Sequence, residues 1–315
     1  MVVYARMRFS VILLLATFVG CSTPVTTHAW GDQTMRLTSA LELAGDQLQA
    51  QAKSHFAPDS AELLSVNLTG QEIENAFARQ VVAWKALDIY AIDIERILDS
   101  RSMESERVQQ VARAFHELHR HLLQSGIASD LGLTLAMHKT TVDKILASKS
   151  MISALEAAQP GVAVLCTNLA ERSRLLEGDL DNWLDTCLRQ IDSKWRTSLD
   201  GYALLLSQKR GFEQEIAAQS AGAIKREGDP AGELLKVETL LRNSESWRAL
   251  YAKEQESMAL SFRDARSHVR KTAHAVLEWG ITHREITKAL RSDGDPVNIR
   301  LLEASANELA PVSIQ

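Results

Sequence analysis

The stretch Glu227-Gly228-Asp229-Pro230 decides the architecture of this chain. A glycine suits the residue just past a helix end. An aspartate suits the N-cap of the next helix, and a proline its first helical position. Working outward, no proline interrupts the helical spacing from Pro160 to about Arg226, nor from Pro230 to about Arg291. The reading predicts two helices of roughly 60 residues, joined here into an antiparallel hairpin about 90 Å long at 1.5 Å rise per residue.

Apolar stripes at i+3/i+4 spacing support both arms. One runs Leu165, Leu169, Leu176, Leu180, Trp183, Ile191, Trp195; the other includes Met258, Phe262, Ala265, Val269, Val276, Trp279, Ile286 and Leu290. Pairing the arms about the turn places residues level when their numbers add to about 457. Trp195 then faces Phe262, and Trp279 falls opposite Gly178.

Gly178 leaves an alternative. Glu177-Gly178-Asp179 reads equally as a C-cap followed by an N-cap, and a turn there would bring Cys166 and Cys187 level, able to form a disulfide in an oxidising compartment. A continuous helix sets them about 31 Å apart. The stripe passes through Gly178 without a change of phase, which favours continuity.

Upstream, residues 34–158 read as a bundle of four helices. The first spans Thr34 to His55 and stops at Pro58. Thr69 and Glu72 make a capping box for the second, flanked by Leu68 and Ile73 as a hydrophobic staple. Phe77, Trp84, Ala91 and Leu98 then recur as a packing seam. Ser100 to Ser105 marks a bend. A third helix runs to about Ser125 with Gly126 as its cap, and a fourth from Asp130 to Ala158, before Pro160. Residues 160–292 form the hairpin, and 293–315 a short C-terminal helix and tail. The fold class is all-α, an elongated helical bundle with a coiled-coil-like hairpin.

The first 21 residues carry a different kind of signal. Arg6 and Arg8 precede a largely apolar run, Phe9 to Val19, too short for a bilayer core that needs about 20 helical residues. Phe18-Val19-Gly20-Cys21 follows, a small residue directly before a cysteine. This ending resembles the lipobox of bacterial lipoproteins, departing from it at Phe18, where that family carries an aliphatic residue. The resemblance implies a signal peptide over 1–20, acylation at Cys21, and a flexible tether over 21–33. Ser22, rather than Asp, follows the cysteine. By similarity to the sorting of enterobacterial lipoproteins, this implies the outer membrane, with the chain facing the periplasm and held by lipid alone.

The whole chain carries a formal charge of −5, with 35 basic and 40 acidic residues. Losing Arg6 and Arg8 with residues 1–20 leaves 33 basic against 40 acidic, or −7. No dense basic run offers phosphate a surface, and Arg263 to Lys271 is broken by Asp264, so no nucleic-acid partner is expected. His116-Glu117-Leu118-His119-Arg120-His121 is rich in histidine, yet a zinc-peptidase helix needs the second histidine four residues after the first, where Arg120 stands. It reads as a polar helix surface.

The di-iron Glu-x-x-His pair, the glycine-rich phosphate loops and the Gly-x-Ser-x-Gly elbow do not occur. No metal ligand set, cofactor or catalytic residue is expected. His283 falls on the seam of the last long helix, where a charge would loosen packing, although such a histidine more often sits hydrogen-bonded in a core. The expectation is a non-catalytic envelope lipoprotein that binds a protein partner through helix packing, the alternative being a helical-bundle module for a small molecule or lipid.

Overall fold

The computed structural model describes residues 28–56, 60–124, 135–222, 228–292 and 300–309. Among them every regular element is α-helical: α1 His28–Ser54, α2 Ala61–Asp99, α3 Glu104–Gln124, α4 Leu135–Leu146, α5 Met151–Ser220, α6 Pro230–Asn243, α7 Glu245–Arg291 and α8 Arg300–Leu309. The fold is a helical bundle with long helices, as the spacing predicts. No helix among the described residues is long and apolar enough to cross a membrane.

Local chemistry explains several helix ends. Gly228 has φ +77, in the left-handed region that glycine enters without strain. Asp229 caps α6, its Oδ1 accepting from Gly232 N at 3.0 Å, with Pro230 at the first helical position. The N-cap and first-position parts of the predicted junction are therefore present, whereas α5 ends at Ser220, so that Gly222, with φ +70, and not Gly228 is the glycine just past its end. The bend after α2 also falls as expected. Arg107 closes it by donating from Nη2 to the carbonyl of Leu98 at 3.0 Å and to that of Ser100. At the start of α5, Ser150 and Ser153 cap each other, each backbone N–H donating to the other's hydroxyl at 3.0 and 3.2 Å.

Several boundaries differ from the expected ones. α2 begins at Ala61, capped by Ser60, whose Oγ accepts from Leu63 N at 3.0 Å. The Thr69–Glu72 box therefore lies inside the helix, and Leu68 is exposed rather than acting as a staple. Extending the helix backward buries Val66 and offers its carbonyl to Trp183 Nε1 at 3.2 Å, a gain the local pattern could not show. The expected fourth helix, 130–158, is divided. α4 ends at Leu146, and α5 begins at Met151 and runs through Pro160. Proline removes one backbone hydrogen bond and crowds the preceding turn. Buried Ala154, Leu155, Ala158, Val162 and Leu165 hold the helix together on both sides of it. The caps expected at Gly126 and Asp130, and the stop at Pro58, lie outside the described residues.

α5 is continuous through Gly178, and Cys166 and Cys187 are free and buried, so the alternative turn with its disulfide is not realised. The second arm is α6 and α7, parted only at Ser244, whose N–H is shared between the carbonyls of Leu240 and Leu241 at 3.1 Å. The tether expected over 21–33 does not extend over residues 28–33. Residues 28–33 already belong to α1, and Trp30 is 0% exposed.

Contacts group the chain into two compact units. The first lies within Met1–Arg36, Ala83–Asn168 and Ala275–Glu308, the second within Leu37–Val82, Leu169–His274 and Leu309–Gln315. The core of the first is built on Trp30, Trp84, Tyr90, Phe115, Leu118, Leu165 and Trp279; that of the second on Leu41, Leu48, Phe77, Trp183, Ile191 and Phe262.

In the second unit, α5 and the α6–α7 run carry paired side chains in opposite order. Glu177 pairs with Arg270 and Asp181 with Arg266, the Trp183 and Phe262 ring centroids lie 5.1 Å apart, Lys194 meets Glu254 at 2.8 Å and Lys209 meets Glu238 at 3.1 Å. The register is not the expected one: Phe262 meets Trp183 instead of Trp195, and Trp195 stacks on Trp247. α5 stops at Ser220 rather than Arg226, which moves the centre of pairing toward the N-terminus. No ring is seated at Gly178, where a Cβ would meet nothing within 4 Å.

Candidate functional site

The densest polar cluster of the first unit lies inside its core. Trp30 of α1, Tyr90 of α2, and Trp279 and His283 of α7 form an aromatic box with centroids 4.8 to 6.5 Å apart. Trp279 Nε1 donates to Thr34 Oγ1 at 2.9 Å, and that hydroxyl donates to the carbonyl of Trp30 at 2.7 Å. Small residues let the helices approach. A Cβ at Gly31 would sit 3.3 Å from the Glu95 carboxylate, which accepts from Gly31 N at 3.2 Å, and one at Gly280 would sit 3.0 Å from Cys166 Sγ.

His283 sits at the end of a chain of hydrogen bonds whose direction is fixed. Gln159 Nε2 donates to the carbonyl of Gly280 at 3.2 Å, leaving its Oε1 to accept from His283 Nδ1–H. Nε2 is then the acceptor, and the Tyr90 hydroxyl donates to it at 3.0 Å. The chain closes only for a neutral imidazole. Burial pushes the His283 pKa down to about 4 and raises that of Tyr90. With every valence of the ring used, His283 is placed to lock α2, α5 and α7 together.

The histidine run of α3 is partly a surface and partly not. His116 is exposed, but His119 is buried, and His138 of α4 stacks on it with centroids 4.0 Å apart and planes at 18°. His116 also approaches His138 at 5.1 Å, and Phe115 lies parallel to it at 6.0 Å. The Nε2 atoms of His119 and His138 are buried with no hydrogen-bond partner. Burial lowers both pKa values, followed for His119 by the charges of His138 and His116, and for His138 by that of His116; His119 reaches about 4. Among the described residues no group of three or more His, Cys, Asp or Glu could hold a metal ion. The expected polar surface is thus corrected at His119. The missing signal was His138, nineteen residues away on a separate helix.

The two cysteines are inert by environment. Burial pushes each thiol up to about 12, so little thiolate forms near neutrality. Cys21, the expected lipid attachment residue, lies outside the described residues. A groove of about 530 Å³ between α1 and α7, lined by Leu48, Gln51, Asp264 and His268 among others, lies open on the surface of the second unit.

Exposed leucines also stand farther along α5 to α7. α1 and α2 cover these helices up to the level of Lys194, whose Nζ donates to the carbonyl of His55 at 3.1 Å just past the end of α1. Gln190 reaches Ser65 of α2 at 3.2 Å, and Ser257 accepts from Gln51 of α1 at 2.9 Å. Continuing the same faces in heptad steps leads from Trp183 and Gln190 to Leu204, from Ser257 to Leu250, and from Ser261 through Trp247 to Leu240. No described helix is shown to cover these positions: Leu204 is 60%, Leu250 55% and Leu240 52% exposed.

Where the cover ends, an aromatic rung closes the bundle. Trp195 and Trp247 stack at 5.9 Å, Tyr202 meets Trp247 edge-on at 6.2 Å, and the Arg248 guanidinium lies 4.5 Å over the Tyr202 ring. Glu254 accepts from Trp195 Nε1 at 2.8 Å. Tryptophan, tyrosine and arginine gathered around exposed leucine is the composition of an interaction surface. The stripes read from the sequence stop at Trp195 on one arm and begin at Met258 on the other, so they gave no sign of these exposed leucines.

Comparison with protein-family models, with curated proteins and with solved structures finds no match.

Proposed function

We propose that this chain is an envelope lipoprotein, acylated at Cys21 and held at the outer membrane facing the periplasm, that works as a non-catalytic interaction module. Its working part is a long antiparallel hairpin over residues 160–292, whose far portion serves as the docking arm. The observation that carries this reading is the exposure of Leu204, Leu240 and Leu250, in the stretch of α5 to α7 past the level of Lys194, where the contacts with α1 and α2 described above end. Arg6 and Arg8, the short apolar run Phe9 to Val19 and Gly20 directly before Cys21 supply the second support.

Burying three half-exposed leucines and one tryptophan on a partner helix would contribute several kcal/mol, at about 25 cal/mol per Å² of apolar surface. That suffices for a specific but reversible contact once association entropy is subtracted. The test is site-specific photo-crosslinking from position 204 in intact cells, together with the mass of the N-terminal peptide. The proposal expects a discrete adduct and a diacyl or triacyl mass at Cys21. An unmodified amino terminus refutes the lipoprotein part, and an arm that crosslinks to nothing refutes the docking part.

A further inference from the structure

α4 is held within the first unit by a thin buried face that begins with a histidine. Among its described side chains His138, Thr141 and Ile145 are buried, and only Ile145 is a large aliphatic residue. A helix of 12 residues has little stability of its own, so these inward contacts decide whether it stays folded against α3. The His138 ring lies against three rings of α3, His119 at 4.0 Å, His116 at 5.1 Å and Phe115 at 6.0 Å. Phe115 and Thr141 together close over Gly161 of α5, where an added Cβ would come within 2.6 Å of the first and 3.3 Å of the second. A charged imidazole donates from both nitrogens, and the Nε2 atoms of His119 and His138 are buried with no partner to accept. We infer that α4 is a proton-operated cover: acid parts the His119–His138 stack, and α4 lifts from α3 and α5 to uncover Phe115 and the surface at Gly161.

The charged groups around the pair leave the neutral rings favoured. On α3, Glu117 pairs with Arg120, and its charge acts on His116 and His121. α2 brings Asp93, which faces Arg96 and Glu117. α4 carries Lys139, Asp143 and Lys144, all exposed. α5 presents Gly161 at this contact, and its Glu156 pairs with Arg291 of α7. The charges that reach the two rings are those of histidines, His138 and His116 on His119, and His116 on His138. His138 also stands in the first turn of α4, where the positive end of the helix dipole opposes a cation. Two charged rings stacked at 4.0 Å would repel each other as well. The other end of α4 is anchored. Ile145 is fully buried, and Glu104 accepts from Met151 N at 2.7 Å, a bond that holds its carboxyl below the usual range and so survives mild acid. Opening therefore starts from the His138 end.

Hydrogen exchange of the full chain, read by mass spectrometry on peptides from 135–146 at pH 7.5 and pH 5 and corrected for intrinsic exchange, tests this. The expected result is an α4 opening constant about 30-fold larger at pH 5 from the proton preference of His119 alone, whose pKa rises from about 4 to 6.5 on opening. Peptides around Trp84 and Trp279 stay more protected than α4 at both pH values. His119→Phe combined with His138→Phe keeps two stacked rings that cannot titrate, and it removes most of the change. Should that variant lack the helical circular dichroism of the wild type, His119→Gln combined with His138→Gln is read in its place. Wild-type α4 protection that is the same at both pH values overturns the inference, and so does an equal change in the non-titrating variant. Loss of α4 protection only in step with the Trp84 and Trp279 segments overturns it too, because that is unfolding of the whole unit and not the lifting of a cover.

Discussion

Lowering the pH should weaken this fold through His283, and the size of the effect follows from the core network. The imidazole accepts from Tyr90 and donates to Gln159, so a second ring proton has no acceptor. Its pKa falls from 6.5 to about 4 by burial. Because the unfolded chain binds the proton more readily, stability is complete above pH 6.5 and is lost as pH falls toward 4.

At about 1.4 kcal/mol per pKa unit, moving from pH 7.5 to pH 5 removes about 2 kcal/mol through this residue, of a full loss of about 3 kcal/mol below pH 4. The assay is urea unfolding at both pH values for the wild type and for His283→Gln, whose amide keeps one donor and one acceptor but cannot titrate in this range. The variant is expected to be less stable at pH 7.5, yet to lose about 2 kcal/mol less than the wild type on acidification. Equal losses in both proteins would refute the account, since carboxylates and the His119–His138 pair act alike in each.

Three further outcomes follow from local geometry. Gly70→Ala should destabilise by about 1–3 kcal/mol in chemical denaturation, because the new Cβ would lie 2.6 Å from the buried Trp183 ring; Gly178→Ala, which meets nothing within 4 Å in a helix interior, should instead stabilise by about 0.5–1 kcal/mol. Asp229→Ala should cost about 1 kcal/mol by removing the acceptor for Gly232 N, and a melting curve unchanged from wild type would rule the cap out. Thiol-labelling kinetics of the native chain should show Cys166 and Cys187 reacting only at the rate of unfolding, with no Cys166–Cys187 link by non-reducing peptide mapping; rapid labelling at pH 8 would contradict their burial.

What the sequence determined alone is whatever depends on neighbouring residues. Helical class follows from apolar spacing. The Gly228-Asp229-Pro230 junction follows from a positive φ, a side-chain acceptor and a fixed proline torsion within three positions. The bend after Asp99 was legible for the same reason. Tertiary structure decided everything in which two distant segments compete for the same surface. Trp30 pulls residues 28–33 into α1 because Tyr90 and Trp279 are there to receive it. The Thr69 box yields to Ser60 because Val66 finds Trp183, and Pro160 is carried inside α5 because burial on both sides outweighs one lost hydrogen bond. His119 leaves the surface only because His138 covers it. An apolar stripe states that a helix wants a neighbour; only the packed chain shows that the contacts with α1 and α2 end near Lys194, short of the exposed Leu204 and Leu240, because cover is a property of where other helices stop.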